Sequence, residues 1–144
     1  MNVETILRSK GGTVATIAPR ATIRDAAALL RRERIGALVV SSDGAKVDGI
    51  LSERDIVHGL ADRGAALLDA LVEELMTRRV FTCTPRDSVG DLMAMMTERR
   101  IRHIPVMKDG VLAGIVSIGD VVKARLDEME YETTSLRSFI HGES

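Results

Sequence analysis

The stretch VATIAPR at residues 14–20 returns as VFTCTPR at residues 80–86, 66 positions further on, with Val, Thr, Pro and Arg in register. Self-similarity at such a distance reads as a duplicated supersecondary unit, so further matches decide the fold. Ile23, Ala26, Ala27 and Leu30 carry forward to Val89, Leu92, Met93 and Met96. Both sets fall at the i, i+3, i+4, i+7 spacing of one apolar helical face. Thr22 with Asp25, and Ser88 with Asp91, place a hydroxyl at the helix start and an acid three residues later. That pattern satisfies N–H groups which the first helical turn leaves unpaired.

The correspondence continues after each helix. Leu38-Val39-Val40 and Ile104-Pro105-Val106 are apolar runs followed by Asp43-Gly44 and Asp109-Gly110. These dipeptides suit tight hairpins, so a returning strand is expected in each half. Gly49-Ile50-Leu51-Ser52 answers to Gly114-Ile115-Val116-Ser117, now displaced by 65 because the segment 45–48 holds one extra residue. Ser52 to Val57 and Ser117 to Val122 then open second helices, and each repeat reads as β-α-β-β-α. A small mixed sheet with helices on one face is too thin to bury both sides alone, so the expectation is an α/β (α+β) fold of two repeats packed sheet to sheet with pseudo-twofold symmetry. The expected division is a lead-in at 1–12, repeats at 13–60 and 79–127, a helical connector at 61–78 and a helical extension and tail at 128–144. Leu67, Leu68, Leu71, Val72 and Leu75 supply the connector's apolar residues.

Composition narrows the function classes. The 144 residues carry 20 basic and 21 acidic side chains, a net charge of −1, so no global positive field favours nucleic acid or an anionic bilayer. No apolar run is long enough to span a membrane and residues 1–10 lack a signal peptide's apolar stretch, which points to a cytoplasmic protein. With aromatics at 2% and no Trp, the core must come from aliphatic residues, Met and Ala; Met93 and Met96 belong to it. The single cysteine, Cys83, has no His or Cys neighbour at ligand spacing and reads as a small strand residue. His58, His103 and His141 stand in unrelated contexts, without a nucleophile-elbow pattern, and neither catalysis nor a metal site is expected.

Taken in order and twice over, the Val-x-Thr-x-x-Pro openings, the RHIPV strand at 102–106 and the Gly-x-x-Ser-x-x-Asp segments at 49–55 and 114–120 resemble the cystathionine-β-synthase (CBS) repeat family. The resemblance covers residues 3 to 127, and Glu74 to Thr77 look like the lead-in that often precedes such a repeat. It implies a stand-alone CBS pair, a regulatory module without catalytic activity or catalytic cofactor. It implies clefts that bind an adenine nucleotide, AMP foremost, with ADP, ATP, NAD(H) or S-adenosylmethionine sharing the adenosine part. Carried onto this chain, Asp55 and Asp120 become ribose ligands, Ser52 and Ser117 approach phosphate with Arg54 beside them, and Thr16, Ala18, Pro19, Thr82, Thr84 and Pro85 lie near adenine. Backbone groups of Val39, Val40, Ile104, Pro105 and Val106 would line the base. A homodimer of two pairs, and a separate downstream protein that receives the signal, complete what the resemblance implies.

The residue chemistry supports those roles. A carboxylate accepts hydrogen bonds from both hydroxyls of a cis-diol. Ser52 and Ser117 immediately precede predicted helices, where free N–H groups and the helix dipole favour a phosphate. The same Ser and Asp spacing also makes a capping box, which needs no ligand. Gly49 and Gly114 are expected to ease a ligand's entry. Arg102 and His103 are expected phosphate contacts, since guanidinium holds phosphate in bidentate fashion; the first repeat has Gly36-Ala37 there, so the two pockets should differ in charge. Lys46 reads as surface. The competing reading is a ligand-independent interaction or dimerisation module, to which Leu126, Met129, Leu136 and Ile140 on the last helix would contribute.

Overall fold

Hydroxyl caps and glycine turns set the element boundaries where the sequence places them. The structure, a computed structural model, describes residues 1–11 and 14–140, with side chains described as far as Leu136. Helix α1 (Val3–Lys10) comes first, capped by the Asn2 side chain, which accepts from the Thr5 N–H at 3.2 Å. The first repeat follows as β1 (Thr16–Ile17), α2 (Ile23–Glu33), β2 (Ala37–Val40), β3 (Gly49–Ser52) and α3 (Glu53–Arg63). A 3₁₀ turn (Gly64–Asp69) and the short α4 (Val72–Leu75) lead to α5 (Val89–Arg99), β4 (His103–Lys108), β5 (Val111–Ser117) and α6 (Ile118–Ile140). Thr22, Ser52 and Ser88 each accept from the N–H three residues on, as their spacing predicts.

The first repeat has the expected mixed sheet, β1 parallel to β2 and β2 antiparallel to β3. The second reduces its opening strand to one parallel bridge, Cys83 with Val106. There the Cys83 N–H donates to the Pro105 carbonyl at 3.0 Å and the Met107 N–H to the Cys83 carbonyl at 2.8 Å. Pro105 has no N–H with which to extend the ladder toward Phe81. The hairpins differ for a local reason too. Asp109 and Gly110 both take positive φ (53° and 78°), the two-residue turn that matches strand twist. In the first repeat the Asp43 carboxylate instead accepts from the backbone N–H groups of Lys46 and Ala45, at 2.8 and 2.9 Å, and organises a wider loop. Those N–H groups, Lys46's foremost, hold its carboxyl below the usual range.

Each repeat encloses its own core. Ile23, Leu30, Leu38, Leu51 and Ile56 belong to the first, Val89, Leu92, Ile104, Val116 and Val121 to the second. The lead-ins cross over: Val3 and Ile6 of α1, which precede the first repeat in sequence, are buried in the second core, and Val72 and Met76, which precede the second repeat, are buried in the first. Backbone bonds repeat the exchange. The Glu4 N–H donates to the Pro85 carbonyl and the Glu73 N–H to the Pro19 carbonyl, each at 2.9 Å. The second lead-in is also fixed to the first repeat where Ile50 and Thr77 exchange backbone hydrogen bonds, and the repeats themselves meet where the Leu112 N–H donates to the Ala45 carbonyl at 2.9 Å.

The crossing explains two glycines. A Cβ on Gly49 would stand 2.6 Å from Met76 Sδ and 2.9 Å from the Thr77 carbonyl oxygen, and one on Gly114 would stand 2.5 Å from Leu7 Cδ2. These positions admit the lead-ins, not a ligand, which corrects the expectation from sequence. Gly49→Ala is expected to lower stability by about 1 to 3 kcal/mol, the usual cost of overpacking, because a backbone carbonyl cannot step aside. Gly114→Ala should cost less, since a leucine tip can turn away. Chemical denaturation of both variants checks the order.

Candidate functional site: a cleft between the repeats

At the start of α3 the chain must change from strand to helix, and Ser52 and Asp55 make that change with a complete capping box. Asp55 Oδ2 accepts from the Ser52 N–H at 2.9 Å and from the Ser52 hydroxyl at 3.1 Å, while Ser52 Oγ accepts from the Asp55 N–H at 3.2 Å. Among the described residues no hydrogen bond reaches Oδ1. The capping reading is therefore realised, and the same half-buried carboxylate still has one oxygen to offer.

Asp55 lines a cleft of about 320 Å³ between the repeats. The first repeat contributes Gly36, Ile50 and Ser52 to Asp55; the approach to the second contributes Thr77, Arg79, Val80 and Phe81; the turn before β4 contributes Arg100, Ile101, Arg102 and His103. Four arginines, Arg54, Arg79, Arg100 and Arg102, face two acids, Glu53 and Asp55, so the cleft is locally positive although the chain is slightly negative overall. Phe81 lies under the guanidinium groups of Arg99 and Arg79, at 4.8 and 5.6 Å from its ring centre. Burial, helped by the cations of Lys10 and Arg102, pushes His103 below its ordinary value against the pull of Asp120 and Glu53. It is thus neutral at pH 7, with one ring nitrogen donating and the other accepting. Gly36 makes room for it, since a Cβ there would stand 3.3 Å from His103 Nε2.

The second acid is placed differently. Asp120 Oδ2 accepts from the Ser117 N–H at 2.9 Å and from the Lys10 ammonium at 2.7 Å. Burial alone would raise its carboxyl, but Lys10 and the Ser117 N–H outweigh it and hold Asp120 below the usual carboxylate range. Asp120 borders a smaller hollow of about 130 Å³ between α1 and α6, with Met1, Ser9, Lys123 and Asp127.

Of the residues expected from sequence, Ser52, Arg54, Asp55, Arg102 and His103 come together on one cleft. Ser117 and Asp120 stand apart from it. The expected adenine neighbours do not line it. Val39 and Val40 lie fully buried in the central strand of a three-stranded sheet, where Val39 is paired with Thr16 on one side and Ile50 on the other. Ile104 and Val106 are likewise fully buried. The Pro105 carbonyl is taken by Cys83, the Pro19 and Pro85 carbonyls hold the lead-ins, Ala18 accepts from Ala21, and the Thr84 N–H donates to Asp87. Thr82 is exposed beside this framework. Sequence reasoning did not place Gly36, Ile50, Glu53, Thr77, Arg79, Val80, Phe81, Arg100 and Ile101 on the cleft. One signal was present, because Phe81 is one of only two phenylalanines in the chain and stands two residues after the basic pair Arg78-Arg79.

Cys83 offers no nucleophile: burial foremost, and then the Asp87 charge, push its thiol up to about 12. No cluster of three metal-ligating side chains occurs among the described residues, and among them no helix is long and apolar enough to cross a membrane. His141 lies outside the described residues.

Comparison with known proteins agrees with the duplication. The family model for the CBS domain matches twice, at residues 6–62 and 72–127. A mitochondrial CBS domain-containing protein of Arabidopsis thaliana is 35% identical over 97% of this chain and 72% of its own length. The crystal structure of a CBS-domain protein from Agrobacterium tumefaciens is 45% identical and superposes with a TM-score of 0.84, covering 87% of this chain and 99% of that one. A CBS domain pair solved with 5′-methylthioadenosine and S-adenosyl-L-methionine is 26% identical, with a TM-score of 0.73 over 86% of this chain and 98% of that one. With its two halves matched in tandem and its fold shared with solved pairs, the chain belongs to the CBS domain family, as a pair of the regulatory, generally non-catalytic kind.

Proposed function

We propose that the chain is a cytoplasmic sensor that binds an adenosine nucleotide in the Asp55 cleft and answers by changing the angle between its repeats. The observation that carries this reading is Asp55 at a helix N-terminus, with one carboxylate oxygen uncommitted among the described residues, in a cleft to which the other repeat brings Arg100 and Arg102. Its volume falls at the lower end of the range usual for small-molecule sites. The ribose diol would donate to Asp55, phosphate would meet the α3 N-terminus with Arg100 or Arg102, and adenine would lie against Ile50, Val80 and Phe81. Because these groups belong to both repeats, a ligand there ties one to the other, and occupancy favours the closed arrangement. Energy sensing follows if AMP competes with ADP and ATP for the cleft; NAD(H) shares the same adenosine half.

The test is a thermal-shift and calorimetric panel of AMP, ADP, ATP, NADH and S-adenosylmethionine. A ligand at 100 times its dissociation constant adds about 2.7 kcal/mol, which is readily seen as a higher Tm. Phosphate-bearing members are expected to outrank S-adenosylmethionine, whose sulfonium is repelled by the arginine-rich wall. A flat response to all five would sink the sensor reading.

A second reading, a ligand-independent dimerisation module, draws on a separate observation. Val57 on α3 and Val122, Leu126 and Met129 on α6 are all about half exposed. A homodimer that covers these helices is proposed as the partner arrangement, and it is compatible with nucleotide binding. The downstream protein would then read the rim of the dimer.

A further inference from the structure

Asp55 and Asp120 hold matching places in the two repeats, yet their surroundings differ in one particular. Beside Asp55, the Ile50 carbonyl accepts from the Thr77 backbone N–H at 2.9 Å. Beside Asp120, the matching carbonyl of Ile115 accepts from the Lys10 ammonium at 2.7 Å, and that same ammonium lies 2.7 Å from Asp120 Oδ2. The lead-ins explain the difference. Helix α4 ends at Leu75 and the chain runs extended at Met76 into the Thr77 bridge, whereas α1 stays helical through Lys10 and presents a side chain in place of a backbone donor. Aligned on their buried valines, Val3 and Val72, the lead-ins set Lys10 opposite Arg79. Arg79 lines the Asp55 cleft but forms no ion pair with Asp55 among the described residues.

We propose that Lys10 is a built-in occupant of the second sugar position, so that the chain takes up a single nucleotide, in the Asp55 cleft, while the Asp120 site stays closed until the last turn of α1 moves. This rests on the nucleotide reading of the Asp55 cleft. Both carboxylates carry two donors on Oδ2, but at Asp120 one of them is the ammonium of another element, which stands between the carboxylate and the Ile115 carbonyl where a sugar's hydroxyls would have to enter. At Asp55 the only donors among the described residues are groups of Ser52, the cap's own partner. The plug is displaceable by design of its setting: the Lys10 and Asp120 side chains keep 35% and 23% of their exposure, so solvent screens the pair.

Isothermal titration of AMP and of ATP into the full chain decides the matter, with wild type, Lys10→Met, Lys10→Arg and the double variant Lys10→Met with Asp120→Asn. Wild type and Lys10→Arg, which keeps the cation, are expected to bind one nucleotide per chain. Lys10→Met should bind two, its second site tightened about tenfold or more by the freed charge-assisted bond. Adding Asp120→Asn should remove that second site and leave the first unaltered. Two equal sites in wild type, or one site in Lys10→Met, would overturn the plug while leaving the Asp55 reading intact. Absence of binding in wild type and in every variant would end both.

Discussion

Replacing Asp55 with asparagine is expected to weaken binding of an adenosine nucleotide by roughly tenfold to a hundredfold, the worth of one to two charge-assisted hydrogen bonds. The carboxylate is held in place from behind, with Oδ2 on the Ser52 N–H and hydroxyl, so its other oxygen is positioned before the ligand arrives. Asparagine keeps the carbonyl that accepts from Ser52 but turns the second acceptor into a donor, which faces the diol's own O–H groups. The folded chain should survive, because the Ser52 hydroxyl still caps α3 and the reciprocal bond is weakened from charged to neutral at a cost of no more than about 1 kcal/mol. Asp55→Ala removes both functions and should lose somewhat more stability for a similar loss of affinity. Titration calorimetry beside a thermal melt separates the two effects. Parent-like affinity in both variants would remove Asp55 from the site.

The second large effect concerns stability and where it is felt. Ile6→Ala is expected to destabilise the protein by about 2 to 5 kcal/mol, as for other isoleucines emptied from a core. Ile6 retains only 5% of its exposure and lies among Val89, Leu92, Ile104 and Val116, so the protection of backbone amides in β4 and β5 should fall first. Val72→Ala, which deletes fewer methyl groups, should cost less and loosen β2 and β3, against which Val72 is fully buried. Each substitution thus acts on the repeat farther from it along the chain. Native-state hydrogen exchange on the two variants reads this directly, and losses confined to the neighbouring repeat in sequence would contradict the crossed arrangement.

The duplicated fold was legible because its signals are local and occur twice. Proline openings, hydroxyl caps and Asp-Gly turns each act within a few residues, and Ser52 and Ser117 mark the same helix start in both halves. The apolar wall of the cleft, Ile50, Val80 and Phe81, was not legible, because a cleft joins unlike segments of opposite repeats while a repeat alignment pairs like with like. Val39 and Val40 resemble an aliphatic slot for adenine, yet β2 has a strand on either side and spends its backbone groups on both. Gly49 and Gly114 signalled close approach correctly, but of Met76, Thr77 and Leu7. Arg102 and His103 were singled out by their chemistry rather than by their place in a periodic pattern, and both line the cleft.

The exchanged lead-ins have a consequence for the chain as a polymer. Cut anywhere in the 3₁₀ turn Gly64–Asp69, it would yield two pieces, each carrying an arm that fits the other and a hollow that awaits it. Such pieces should be poor at folding singly and good at finding one another. In topology the intact molecule is an arm-swapped duplex joined end to end, so motion of one half is felt by the other without any signal having to cross a hinge.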